Sequence, residues 1–152
     1  MADRPFGKNQ LDVSPRTHKH AATDRIIVQN SWEFAGVPST TAEIIDIDRH
    51  AAEKFHGMIF DFGDRENSRV RDLVDLVILI EHELLHTDEL GAHINGVWRE
   101  RNNDSPPSAL PEFPETWPSR YERLAAEHDL NVSSFEAATP LVQQLWSDVK
   151  KP

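Results

Sequence analysis

From Val70 to Leu84, apolar residues recur at three- and four-residue spacing: Val70, Leu73, Val74, Val77, Ile80 and Leu84. That is the period of an α-helix, and Arg71, Asp72 and Asp75 fall outside the stripe. A helix so strongly one-sided needs other elements to cover it. Asn67 or Ser68 is placed to cap it, and the flanking sequence supplies its partners. Upstream, Asp48-Arg-His-Ala-Ala-Glu-Lys54-Phe-His-Gly57 is built of helix formers behind an acidic cap and ends in glycine. Downstream, Thr87-Asp88-Glu89 opens a helix carrying Leu90, Ile94, Val97 and Trp98 until Asn102 and Asn103 stop it. Five prolines between Pro106 and Pro118 enforce an extended strap over 105–118. A helix from Ser119 to His128 follows. The last helix opens at Ser133-Ser134-Phe135-Glu136, where Ser133 and Glu136 have capping-box spacing, and Pro140 falls in its early turns. Two β-prone runs, Ile26 to Val28 and Ile44 to Ile47, flank the turn-rich Gly36-Val37-Pro38-Ser39. The expected fold is α+β and predominantly helical, without internal repeats.

Residues 1–24 mix Pro5, Gly7 and Pro15 with charges and few apolar residues, which predicts a flexible amino-terminal arm before a single domain over 25–149. At 152 residues the chain has room for one modest core. Its 16 Lys+Arg against 26 Asp+Glu give a formal charge of −10, so nonspecific attraction to nucleic acid or anionic lipid is not the default. The absence of cysteine excludes disulfides, thiolate zinc sites and thiol nucleophiles, and agrees with a cytoplasmic protein. The longest strictly apolar run is Leu76 to Ile80, and the amino terminus has no apolar core, so neither a membrane span nor a signal peptide is expected.

Two short motifs suggest metal chemistry. His82-Glu83-Leu84-Leu85-His86 reads H-E-x-x-H; on a helix, His82 and His86 would lie about 40° apart, and Glu83 could activate a zinc-bound water. The context opposes zinc: Asp88 replaces the usual apolar residue, and Glu89 and His93 fall at unfamiliar spacings for a third ligand. His18, His20, His50, His56, His93 and His128 show no ligand spacing. Asp46-Ile47-Asp48 has the form of a strand-borne magnesium motif, but no Gly-Ser pair precedes it, and the pair is better read as ending a strand and capping the next helix.

Taken in order, His50-Ala-Ala-Glu-Lys54-Phe-His-Gly57 and Asn67-Ser-Arg-Val-Arg-Asp-Leu-Val-Asp-Leu76 resemble the AbiEii/AbiGii family of nucleotidyltransferase toxins. Trp32-Glu-Phe-Ala-Gly-Val-Pro38, the strap from Leu110 to Leu124, and Phe135 to Val149 extend the resemblance over about Ile26 to Val149. It implies the carboxyl-terminal part of a polymerase-β-like nucleotidyltransferase with a helical domain. It also implies a toxin of type IV toxin-antitoxin or abortive-infection systems, moving a nucleoside monophosphate from an NTP to an acceptor with Mg2+. Lys54 matches the family lysine that meets the nucleotide phosphates, Asp72 and Asp75 match its catalytic acidic pair, and Arg71 stands where lysine is usual. The family's Gly-Ser turn and following D-x-D are not matched, so the chain is expected to be inactive alone. An upstream half carrying those carboxylates, an antitoxin, a second copy of the chain and a nucleic acid acceptor are the partners this implies.

Overall fold

The computed structural model describes residues 23–29 and 32–150. Strand β1 (Thr23–Val28) pairs antiparallel with β2 (Thr40–Ile45), in a register running from Thr23 opposite Ile45 to Val28 opposite Thr40. Five helices follow among the described residues: α1 (Ile47–Ile59), α2 (Val70–Glu81), α3 (Thr87–Asn102), α4 (Trp117–Glu127) and α5 (Phe135–Val149). The mostly helical α+β expectation therefore holds. The arm expected over 1–24 lies outside the described residues except for Thr23 and Asp24, which already belong to β1.

Helix α2 occupies the centre, packed against α1, α4 and α5, while α3 packs against α1 and α5. Val70, Leu73, Val74 and Val77 of its stripe are buried, as is Leu76, whereas Ile80 is half-buried and Leu84, beyond the helix end, is exposed. Phe55 and Met58 from α1, Leu90, Ile94 and Trp98 from α3, Trp117 and Tyr121 from α4, and Val142 and Trp146 from α5 complete one core. The Trp146 ring lies 5.0 Å from Phe55 and 5.8 Å from Trp98, so α5 closes over the α1–α3 pair with aromatic surface.

Several boundaries differ from the sequence expectation. Helix α1 runs past Gly57, because the Asn67 side chain collects the carbonyls of Met58 and Phe60 that the helix end leaves free. Asn67 thus closes the α1–α2 loop rather than capping α2, whose N-cap is Arg69. Ile47 belongs to α1, not to the second strand, since Asp46 caps that helix by accepting from the Arg49 N–H at 2.7 Å. Helix α4 starts at Trp117, with Pro118 in its first turn, where a missing N–H costs nothing. Ser134, not Ser133, caps α5 and accepts from the Ala137 N–H, and Pro140 is accommodated inside the helix. The strap is pinned from the far end of the chain, Lys150 Nζ donating to the Pro106 and Pro107 carbonyls at 2.9 and 2.8 Å.

Helix α2 also stops at Glu81 instead of continuing to Leu84. Glu83 adopts the left-handed conformation at φ 53°, its N–H donates to the Ile80 carbonyl, and the Leu84 N–H donates to the Leu79 carbonyl. This is a Schellman termination with glutamate in the position glycine usually fills. The Glu81 carboxylate holds the end in place by accepting from the Asn131 and Val132 backbone N–H groups.

Candidate nucleotide-binding site

Lys54 stands on α1, and Asp72 and Asp75 stand one turn apart on α2. Packing of the two helices brings the three together: Lys54 Nζ lies 2.6 Å from Asp75 Oδ2 and 3.2 Å from Asp72 Oδ1. Arg69 Nη1 lies 3.8 Å from Asp72 Oδ2. The Asp72 side chain is only 7% exposed and Asp75 is 38% exposed, so one carboxylate is an interior anchor and the other faces solvent. Gly57 makes the anchor possible, since a Cβ there would stand 2.6 Å from Asp72 Oδ2.

Burial pulls the Lys54 ammonium toward its neutral form, but the hydrogen bond and charge of Asp75 and the added pull of Asp72 outweigh it, and its pKa is raised. Burial raises the Asp72 pKa, and the opposing attraction of Lys54 does not fully offset it. His50, one turn before Lys54 on α1, is lowered by burial and then by the Lys54 charge. The lysine is therefore a firmly charged group whose neighbours hold it in place.

Two hollows meet at this triad. The first, about 520 Å3, is lined by His50, Lys54, Gly57, Arg69, Asp72 and Arg101 together with residues of β2. The second, about 560 Å3, is lined by Lys54, Arg69, Arg71, Asp72, Asp75 and His128 among others. Both have the size of small-molecule sites. The first hollow sets Lys54, Arg69 and Arg101 against Glu43, Glu53 and Asp72, with Arg101 paired to Glu53, and the second sets Lys54, Arg69 and Arg71 against Asp72, Asp75 and Glu127. Behind the first hollow, Arg49 bridges Glu53 and Glu100, at 3.2 and 2.6 Å, and fixes α1 to α3.

The structure thus unites Lys54, Asp72 and Asp75 and sets the exposed Arg71 on the rim. Arg69, His50 and Arg101 were not singled out from the sequence as site residues. Arg69 and His50 carried a local signal, three residues before Asp72 and four before Lys54, whereas Arg101 arrives only through α1–α3 packing. The helix expected to carry His82, Glu83 and His86 does not exist as one piece: His82 caps the end of α2, Glu83 is left-handed, and His86 precedes α3. The two imidazoles therefore do not share a helix face. His86 Nδ1 instead donates to Asp48 Oδ2 at 2.9 Å, and its backbone N–H donates to Asp48 Oδ1, so Asp48 joins the starts of α1 and α3.

A mostly helical chain with this ordered pair of lysine and aspartate helices falls in the nucleotidyltransferase class. The family model described as nucleotidyl transferase AbiEii toxin, type IV TA system, matches residues 1–146 of the 152, and the chain belongs to that family. No curated protein compared with the chain matches it. A toxin of this kind has an antitoxin for its partner. No helix among the described residues is long and apolar enough to cross a membrane.

Proposed function

We propose that the Lys54 triad binds the phosphates of a nucleoside triphosphate in a reaction that moves its nucleoside monophosphate to an acceptor hydroxyl, with pyrophosphate leaving. The observation that carries this reading is the position of Lys54 Nζ, held by two carboxylates where two hollows of mixed charge meet, with Arg69 lining both. A preorganised ammonium neutralises phosphate charge without reorganising during the reaction. Phosphate oxygens would displace the solvent-facing Asp75 from Lys54, while the buried Asp72 continues to aim it. Arg69 and Arg71 add charge on either side, and the guanidinium of Arg71 can take two phosphate oxygens where a lysine would offer a point charge.

Magnesium does not fit among these side chains, because both aspartates are already paired with Lys54, and Asp72 also with Arg69. Asp48 is committed to holding His86, and Asp46, the N-cap of α1, stands about 12 Å along the helix from Lys54, too far to hold an ion on the same phosphates. The carboxylates for Mg2+ are therefore assigned to a source outside the described residues, within this chain or in a second polypeptide, and residues 23–150 do not transfer nucleotide by themselves. The protein is read as cytoplasmic.

Calorimetric titration with each magnesium nucleoside triphosphate tests the reading. One nucleotide is expected to bind and Lys54→Ala to abolish binding; a folded chain that binds none overturns it. A noncatalytic interaction module is the second reading, favoured by the apolar surface of the β-hairpin, where Ile27 is 71% and Phe34 84% exposed. Self-association or antitoxin binding without nucleotide binding would support that alternative.

A further inference from the structure

We propose a divalent transition-metal site, separate from the nucleotide site, formed by Asp46, Glu89 and His93. Asp46 is the N-cap residue of α1, and Glu89 and His93 stand one turn apart near the start of α3. One donor atom from each lies within 4.8 Å of the other two. His93 Nε2 is already 3.4 Å from Asp46 Oδ1. Metal bonds of about 2.0–2.2 Å place neighbouring donor atoms roughly 3–3.5 Å apart, so the imidazole and one carboxylate are close to ligating distance, and the rotatable Glu89 side chain closes the remainder. The Asp46 side chain is 17% exposed and that of His93 24%, which leaves one open face and a protein-bounded back.

The charge environment calls for a cation. Asp46, Asp48 and Glu89 converge on two imidazoles, His86 and His93, and no Lys or Arg side chain pairs with Asp46 or Glu89 among the described residues. Asp46 Oδ1, the oxygen nearest His93, also accepts from the Arg49 N–H, which orients the carboxylate; a carboxylate oxygen can take a metal and an N–H together through its two lone pairs. Asp48 and His86 stand beside the ligands, pinned to each other at 2.9 Å, and keep α1 and α3 in fixed relation. One imidazole with two carboxylates suits Zn2+, Mn2+ or Fe2+, whereas Mg2+ prefers oxygen ligands alone. Eight residues of helix separate Asp46 from Lys54, about 12 Å along the axis, so the ion would tie α1 to α3 rather than meet a bound triphosphate.

The test is calorimetric titration of the chelator-treated full chain with Zn2+ in excess Mg2+, paired with thermal melts. One equivalent of Zn2+ is expected to bind and to raise Tm. Glu89→Gln and His93→Ala should each weaken binding about tenfold or more and remove the Tm shift. His82→Ala and the double substitution His18→Ala/His20→Ala should leave both readouts unchanged. Should His93→Ala fail to fold, the exposed Glu89→Gln decides. Absence of stoichiometric binding, or binding that survives Glu89→Gln, overturns the proposal.

Discussion

Lys54 Nζ is closer to the half-exposed carboxylate of Asp75, at 2.6 Å, than to the buried carboxylate of Asp72, at 3.2 Å. The shorter contact is nevertheless the weaker contributor to stability. Solvent screens the Asp75 pair, whereas removing Lys54 strands a charge with little water around it. Asp75→Asn is expected to cost under about 1 kcal/mol. Lys54→Met should cost about 1–3 kcal/mol by taking from Asp72 its hydrogen-bonded partner and leaving only Arg69, 3.8 Å away. Adding Asp72→Leu to Lys54→Met should recover most of that loss, since two apolar groups then replace a broken pair. Urea unfolding of the four proteins checks the order; equal midpoints for Lys54→Met and Asp75→Asn would contradict it.

Two glycines on α3 should respond in opposite senses to the same change. A Cβ at Gly91 would stand 2.8 Å from the backbone carbonyl oxygen of Val149, which cannot swing away as a side chain would. Gly91→Ala should therefore destabilise by about 1–3 kcal/mol, by forcing the ends of α3 and α5 apart. At Gly96 the nearest atom is Arg49 Nη1 at 4.0 Å, so an added methyl meets open space. Gly96→Ala should stabilise by about 0.4–1 kcal/mol through the less flexible unfolded chain. Melting temperatures moving in the same direction would refute the pair.

The contrast between those glycines lies beyond sequence reasoning, because both sit in equivalent helical surroundings and differ only in what another helix brings to them. The five helices were legible because their apolar residues keep the helical period and their breaks carry Asp46, Asn103 or proline. The end of α2 was not, since no glycine marks it. The stop depends on Glu81 accepting from Asn131 and Val132, some fifty residues away. Lys54, Asp72 and Asp75 were legible through the order of their two motifs, while Arg101 acquired its place only through the packing of α3 on α1. His93 gave no spacing signal either, because Asp46, the residue it meets, belongs to another helix.

The Asp48–His86 pair predicts a pH-dependent contribution to stability. The hydrogen bond to Asp48, then its charge, raises the His86 pKa above the ordinary histidine value. A histidine whose pKa rises on folding contributes fully below the unfolded value of about 6.5, and the contribution fades as pH climbs through the raised folded value. His86→Gln removes that titration and preserves the backbone N–H that also donates to Asp48. The stability difference between the parent and His86→Gln should therefore be largest at mildly acid pH and shrink toward alkaline pH. His50 and His56, both lowered mainly by burial, are common to the two proteins and cancel in the difference. A pH-independent difference from chemical denaturation would rule out the linkage.

Glu83 offers the last test, because one substitution separates its backbone role from the chemistry its motif suggests. Its φ of 53° is a conformation that a residue with Cβ adopts at a cost, and the two Schellman hydrogen bonds around it require that conformation. Glycine at this position keeps both bonds and removes the strain. Glu83→Gly should stabilise the protein by about 1 kcal/mol, whereas Glu83→Val should destabilise it because a β-branched residue tolerates positive φ least. Paired thermal denaturation scans check this, and a Glu83→Gly protein that melts below the parent would show that the turn does not end α2 as described.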